Sequence, residues 1–106
     1  MTELISPESK VDLNKIPEVK FWAYVIKLSI KKAMEGTYAE MRKNWNWIFG
    51  RQDYASSFDN VCSLISIDAK NIKKVFLKRF KEIMTDDKKK ILSIFKKKIK
   101  DYNDED

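Results

Sequence analysis

The chain has 106 residues, which is enough for one domain with a modest hydrophobic core. Its apolar fraction of 43% with only two Gly and two Pro favours packed helices over an all-β fold with many turns. The absence of histidine and the presence of a single cysteine exclude a structural zinc site and a histidine general base.

Charge is distributed unevenly around a net value of +6. Residues 85–100 hold seven Lys against two Asp, whereas 1–18 and 101–106 are acidic. A basic body with acidic ends suits a phosphate backbone or an anionic membrane surface, and it also fits a plainly solvated surface.

The lone cysteine, Cys62, falls on the apolar side of a predicted helix, which indicates a buried thiol in a reducing compartment. No apolar run approaches the length of about 20 residues that spans a bilayer. The N-terminus lacks a basic start and an apolar core, unlike a secretory signal. We therefore expect a cytoplasmic protein without integral membrane association.

The N-terminal residues, 1–16, are polar and predict a flexible arm. Pro17 then stands at a favoured first helical position, and helical apolar spacing predicts helix one over 17–35. Gly36 supplies its C-terminal stop. We predict a helical domain over 17–100, followed by an acidic tail over 101–106.

Helix two is predicted from a capping box, Thr37 with Glu40, to the stop at Gly50. Trp47 points away from the apolar stripe of this helix. It is a candidate binding residue, although a second core contact is the favoured interpretation.

Two short helices joined by a tight turn are predicted over 58–80, which is the spacing of a DNA-reading helix-turn-helix. Asp68 is the predicted N-cap of the second of them, helix four. The turn calls for a residue tolerant of positive φ, usually Gly, where this chain has Ser66. The apolar residues expected to hold the unit together are Val61, Ile65, Ile67, Ile72 and Val75.

Helix four, over about 69–83, is the predicted recognition helix, with base edges read near its start and phosphates contacted by neighbours. The candidate DNA-binding residues are Lys70, Asn71, Lys73, Lys74, Lys78 and Arg79. Ser56 or Ser57 caps helix three, and both are candidate phosphate contacts together with the first backbone amides of that helix.

Thr85 with Asp86 and Asp87 predicts the start of helix five, which lysines surround. These lysines are interpreted as an extended phosphate footprint, as a basic amphipathic membrane helix, or as a solvated surface.

The segment 47–77 resembles a group of small, largely uncharacterised phage-like and bacterial proteins. In that group a tryptophan-led apolar triplet is followed by a short acidic loop. A Ser-Phe pair, an Asn-Val-Cys triplet, a Leu-Gly-Leu-Asp-Pro turn and a basic helix come after the loop. The matching residues here are Trp47-Ile48-Phe49, Asp53, Ser57-Phe58, Asn60-Val61-Cys62 and Ile67-Asp68. Ser66 and Ala69 depart from the group's Gly and Pro. The resemblance implies a helix-turn-helix and brings no activity with it.

Taken together, these patterns predict an all-α, compact bundle of about five helices containing a helix-turn-helix. The leading functional hypothesis is a sequence-specific or architectural DNA-binding protein, a transcriptional regulator or accessory factor, without cofactor, metal or enzymatic activity. The alternatives are a protein-binding module, such as a phage-encoded inhibitor or adaptor with an acidic partner, and RNA binding. A homodimer is expected to use helix one, through Trp22, Tyr24 and Leu28.

Overall fold

The computed structural model describes residues 15–102, and the side chains of residues 18–102. This part of the chain is entirely helical and contains no strand, which confirms the predicted all-α bundle. Its elements are α1 (Lys15–Glu35), α2 (Tyr38–Phe49), α3 (Phe58–Leu64), α4 (Ala69–Phe80), α5 (Asp86–Ile94) and a 3-10 helix (Lys100–Tyr102). Most of the predicted arm and the end of the acidic tail lie outside the described residues.

Helix α2 begins and ends where the sequence predicts. The Thr37 hydroxyl accepts the amide N–H of Glu40 at 3.1 Å, while the Glu40 carboxylate accepts that of Thr37 at 3.0 Å. At the other end the Gly50 N–H donates to the Asn46 carbonyl at 2.8 Å. A Cβ on residue 50 would lie 2.2 Å from that same carbonyl oxygen, so only glycine fits this stop.

The three following helices are each capped by a short polar side chain. Ser57, Asp68 and Thr85 accept the backbone N–H three residues further on, at the starts of α3, α4 and α5. These bonds satisfy amides that have no partner within the helix. The predicted caps at Asp68 and Thr85 are confirmed, and Ser57 rather than Ser56 caps α3.

Trp45 is the centre of the core. Its side chain is fully buried, and its ring lies 4.8–5.4 Å from the rings of Phe49, Phe76, Phe80 and Phe95. The indole N–H donates to the Ala33 carbonyl at 3.2 Å. A single α2 side chain therefore joins α1, α4 and the residues after α5, and it satisfies its own polar atom while doing so.

Three helix ends differ from the sequence-based expectation. Helix α1 begins at Lys15, two residues before Pro17, and α5 gives way to turns after Ile94 instead of continuing to about residue 100. Helix α4 ends at Phe80, so Ile83 is not part of its packed stripe and is 73% exposed.

The early end of α4 has a physical cause in α5. The Lys88 ammonium donates to the carbonyl of Phe80 at 3.1 Å and to that of Ile83 at 2.9 Å. It also lies 4.7 Å from the centre of the Phe80 ring. A cation at a helix C-terminus satisfies carbonyls that have no helical partner, so Lys88 stabilises the corner between the two helices.

Candidate nucleic-acid interface

The connection between α3 and α4 is a tight turn over residues 65–68. Ser66 is its sharpest point, with a φ of 63°, the left-handed conformation in which glycine is usually found. The Ile67 N–H returns to the Cys62 carbonyl at 2.8 Å. The sequence correctly indicated a positive-φ position here, and the chain places a serine in it.

The outward side of α4 is strongly basic. We call this surface the α4 face; it consists of Lys70, Asn71, Lys74, Val75, Lys78 and Arg79. Lys70, Asn71, Lys78 and Arg79 are exposed, and Lys74 is half-buried. The face includes no acidic residue, since α4 has none. Residues 70, 74 and 78 form one row along the helix, and residues 71, 75 and 79 form the adjacent row.

Lys73 is absent from this surface, so its predicted exposure and DNA contact are wrong. Its side chain is only 3% exposed, and its ammonium lies 2.6 Å from Asp59 Oδ1. The rings of Phe49, Phe58 and Tyr102 surround it at 5.3–5.8 Å. That carboxylate oxygen has no hydrogen-bond partner, so the contact is an ion pair without hydrogen-bond alignment.

The orientation of α4 about its own axis explains both the burial of Lys73 and the exposure of Val75. Phe76, Leu77 and Phe80 are buried and fix which side of the helix faces the core. Lys73 lies one turn before Phe76 and Leu77 and therefore shares their side. Val75 points outward and is 47% exposed, so it does not hold α4 onto α3 as predicted.

The start of α3 does not offer the predicted phosphate site. Ser57 is fully buried, and its hydroxyl donates to the Gln52 carbonyl at 3.3 Å. The Asp59 N–H donates to Gln52 Oε1 at 2.8 Å, and the Asn60 N–H donates to Ser57 Oγ at 3.4 Å. The expectation that Ser57 and these amides are open to phosphate is therefore wrong. Ser56 is exposed.

Gln52 organises this loop, although the sequence pattern gave no sign of it. Its amide nitrogen lies 3.1 Å from each of three carbonyl oxygens at the end of α2, those of Trp47, Ile48 and Gly50. Its oxygen meanwhile accepts from α3. One side chain thereby fixes α3 relative to α2, a role that depends on tertiary contact and leaves no periodic signal.

Trp47 makes the core contact that was favoured for it. Its ring meets Phe58 edge-on at 5.2 Å between centres, and its indole N–H donates to the Ser56 carbonyl at 2.9 Å. Tyr54 is 37% exposed, and the Arg51 guanidinium lies 5.5 Å from its ring centre. Both aromatic side chains are thus in contact with other residues of the chain.

Cys62 faces the core beside the Lys73–Asp59 pair and is fully buried, as predicted. The pKa of its thiol is raised to about 11, chiefly by burial and to a lesser degree by the charge of Asp59, while the charge of Lys73 partly offsets both. A neutral, enclosed thiol is a packing residue and a poor nucleophile.

Within the described part of the chain, no group of three acidic, histidine or cysteine side chains could hold a metal ion. Over the same residues, no helix is both long and apolar enough to cross a bilayer. No protein-family model, curated protein or solved structure matches the chain. The resemblance of the segment 47–77 to phage-like proteins therefore remains a hypothesis.

Proposed function

We propose that the protein binds duplex DNA through the α4 face, as a transcriptional regulator or accessory factor without enzymatic activity. The observation that carries the proposal is the outward basic surface of α4, which follows α3 across a tight turn. Three of its cations, Lys70, Lys78 and Arg79, are exposed, and no carboxylate lies on the helix to neutralise them. Opposite this surface, the helix is anchored through aromatic residues.

Roles within the α4 face follow from position along the helix. Lys70 and Asn71 lie in the first turn, the part of a recognition helix that reaches base edges in the major groove. Lysine donates to guanine O6 and N7, and asparagine pairs with adenine in a bidentate manner. Lys78 and Arg79 lie in the last turn, where contacts to the phosphate backbone are expected. Val75, between the two ends, can meet a thymine methyl group.

Fluorescence anisotropy with a random-sequence duplex tests the proposal through charge reversal. The variant Lys70→Glu/Lys78→Glu should bind at least about tenfold more weakly, since two phosphate or base contacts become repulsive. The matched control Lys27→Glu/Lys31→Glu changes charge equally on the exposed side of α1 and should bind nearly as the original chain does. If both variants lost the same amount of affinity for the duplex, net charge alone would explain the loss. That result would contradict a specific binding site on α4.

A protein-binding module is the second candidate function, and the exposed apolar side chain of Val75 favours it. Val75 borders a cleft of about 260 Å³ between α1 and α4, with Ile30 and Met34 on one wall and Arg79 at the rim. An acidic partner could place an apolar side chain in this cleft and a neighbouring carboxylate against Arg79. Val75→Lys would abolish such binding, whereas it would preserve or strengthen affinity for duplex DNA.

A homodimer through α1 completes the proposal, because paired modules usually read two DNA half-sites. Of the expected interface residues, Tyr24 is 61% exposed, whereas Trp22 and Leu28 are half-buried. Phe21, at 57% exposure, extends the apolar surface. Sedimentation equilibrium tests this point, and Tyr24→Lys should shift any dimer toward monomer.

A further inference from the structure

A second basic surface lies between α2 and α5. A cleft of about 580 Å³ opens there, and a shallower cleft of about 440 Å³ continues it along α5, sharing Tyr38 and Ile94 with it. We call the combined surface the α2–α5 groove, and the residues that matter for its chemistry are Tyr38, Arg42, Lys43, Lys90, Ile94 and Lys98.

The α2–α5 groove is electrostatically one-sided. The cations that line the two clefts are Arg42, Lys43, Lys89, Lys90 and Lys98, all of them exposed. No acidic side chain lines either cleft. The Lys90 ammonium lies 5.8 Å from the centre of the Tyr38 ring, above the point where the clefts meet. Closely spaced cations without neutralising carboxylates attract a polyanion.

The α2–α5 groove and the α4 face are separate surfaces, since no residue of the α4 face lines either cleft. Phe76 and Phe80 direct the inner side of α4 at Trp45 of α2. Lys70 and Lys78 lie on the other side of α4, away from α2. On α2, Arg42 and Lys43 are rotated by about 60° and about 160° from Trp45, so the groove cations lie beside and behind the side that faces α4. The aromatic core thus separates two outward basic surfaces.

The composition of the groove favours a phosphate backbone over an acidic protein. Among the residues that line the two clefts, the exposed apolar side chains are Ala39 and Ile94. A stable protein partner needs a larger apolar centre than these two provide. Phosphate binding depends instead on spaced Lys and Arg side chains and needs no apolar area.

We propose that the α2–α5 groove binds the phosphate backbone of a second DNA duplex, so that one molecule holds two duplexes on two separate surfaces. This inference rests on the proposed function of the α4 face. It makes the protein a DNA-bridging factor, in which α4 supplies groove contacts and the α2–α5 groove supplies contacts that do not depend on base sequence.

Energy transfer between two duplexes, one carrying a donor dye and one an acceptor dye, measures bridging directly. The full chain should raise transfer at low salt and lose the effect when excess unlabelled duplex is added. The variant Arg42→Glu/Lys98→Glu should lose most of the transfer yet keep single-duplex binding within about threefold in anisotropy. All substituted side chains are exposed, and circular dichroism checks that the helices persist.

The outcomes for the variants distinguish failure of the groove proposal from failure of the α4 proposal. If Arg42→Glu/Lys98→Glu bridges as well as the original chain, the second duplex binds elsewhere, for example on a second copy, and the inference is wrong. It is equally wrong if the original chain binds duplex without any transfer. If instead Lys70→Glu/Lys78→Glu leaves both binding and bridging unchanged, the α4 proposal fails, independently of the groove. The control Lys27→Glu/Lys31→Glu should leave bridging intact.

Discussion

Lys73 is a cation enclosed by three aromatic rings and one carboxylate. A buried ammonium loses most of its hydration, which its ion pair and the ring faces replace. Asp59, by contrast, has a side chain that is 41% exposed, although the Oδ1 atom that meets Lys73 is buried. The two partners of the pair are therefore not equivalent: loss of the carboxylate leaves a fully buried ammonium without its partner, whereas loss of the ammonium leaves a carboxylate that is partly exposed.

This asymmetry predicts different outcomes for the two single substitutions. Asp59→Ala should lower the free energy of unfolding by about 3 kcal/mol, since the Lys73 charge then has no partner. Lys73→Met keeps the packed stem and should change it by about 1 kcal/mol or less. Urea unfolding of both variants measures the difference. If both variants lost the same free energy of unfolding, the two charges would need the ion pair equally, which would contradict the asymmetry.

Cys62 yields a prediction on reactivity. Because its pKa is raised to about 11 from an ordinary value of 9.0, the thiolate fraction near neutral pH falls about a hundredfold. A disulfide reagent should label the native chain at least that much more slowly than it labels the chain in urea. Ser63→Cys in a Cys62→Ala background, an exposed thiol on the same helix, should react rapidly in both states.

The raised pKa of Cys62 also determines whether its contribution to folding stability rises or falls with pH. The folded state keeps the Cys62 proton at a pH where the unfolded chain releases it. The thiol's contribution to stability is therefore complete below pH 9.0 and is lost as pH rises toward about 11. Comparison with Cys62→Ala isolates this contribution from the titrating lysines, and a variant with the same slope above pH 9.0 would contradict it.

At the scale of elements, the α3–α4 turn stores conformational strain at one residue. A non-glycine residue in the left-handed region costs about 1 kcal/mol, and Ser66 occupies that region with a φ of 63°. Hydrogen bonds from the turn back to α3 keep it there, because the Ser66 and Ile67 amides donate to Ser63 and Cys62.

Glycine should therefore act in opposite directions at two neighbouring serines. Ser66→Gly should raise the free energy of unfolding by about 0.5 kcal/mol, since relief of strain exceeds the entropy that glycine adds to the unfolded chain. Ser63→Gly, in a helical position of α3, should lower it by about 0.5 kcal/mol. Thermal unfolding of the two variants tests this prediction. If both substitutions lowered stability, the turn at Ser66 would not be strained.

Local chemistry explains how much of these elements the sequence could predict. Caps such as Thr37, Asp68 and Thr85 act on amides three residues away, so a short motif suffices to locate them. Tertiary contacts leave no such pattern. The rotation that buries Lys73 is set by aromatic residues on α2 and α4 together, and the end of α4 is set by Lys88 from the next helix.

The candidate site likewise has features that the local sequence predicts and features that depend on tertiary contacts. Exposure of Lys70, Lys78 and Arg79 followed from helical spacing and is confirmed, whereas Asn71, which was expected to lie partly under the helix, is exposed as well. The closed state of Ser57 depends on Gln52 in the preceding loop, and the α2–α5 groove depends on packing between helices that are distant in sequence. Contacts of this kind become visible only when the chain is folded.

At the scale of the whole molecule, α2 and α4 meet at an aromatic core, and each of them turns cations outward. Trp45 is the common element, because it positions the inner side of α4 and thereby the direction of the α4 face. A molecule with two separate basic surfaces can hold two polyanions at once. The α4 face is the primary proposed site, and the α2–α5 groove is proposed as a second site.

The salt dependence of duplex binding tests that central claim most directly. Log affinity should fall linearly with log salt, with a slope of about −0.9 for each phosphate contacted. Lys78→Gln/Arg79→Gln, which removes the two expected phosphate contacts, should make the slope shallower by about 1.8, whereas Lys27→Gln/Lys31→Gln should leave it unchanged. Equal slopes for all three proteins, or no binding at low salt, would contradict DNA recognition by the α4 face.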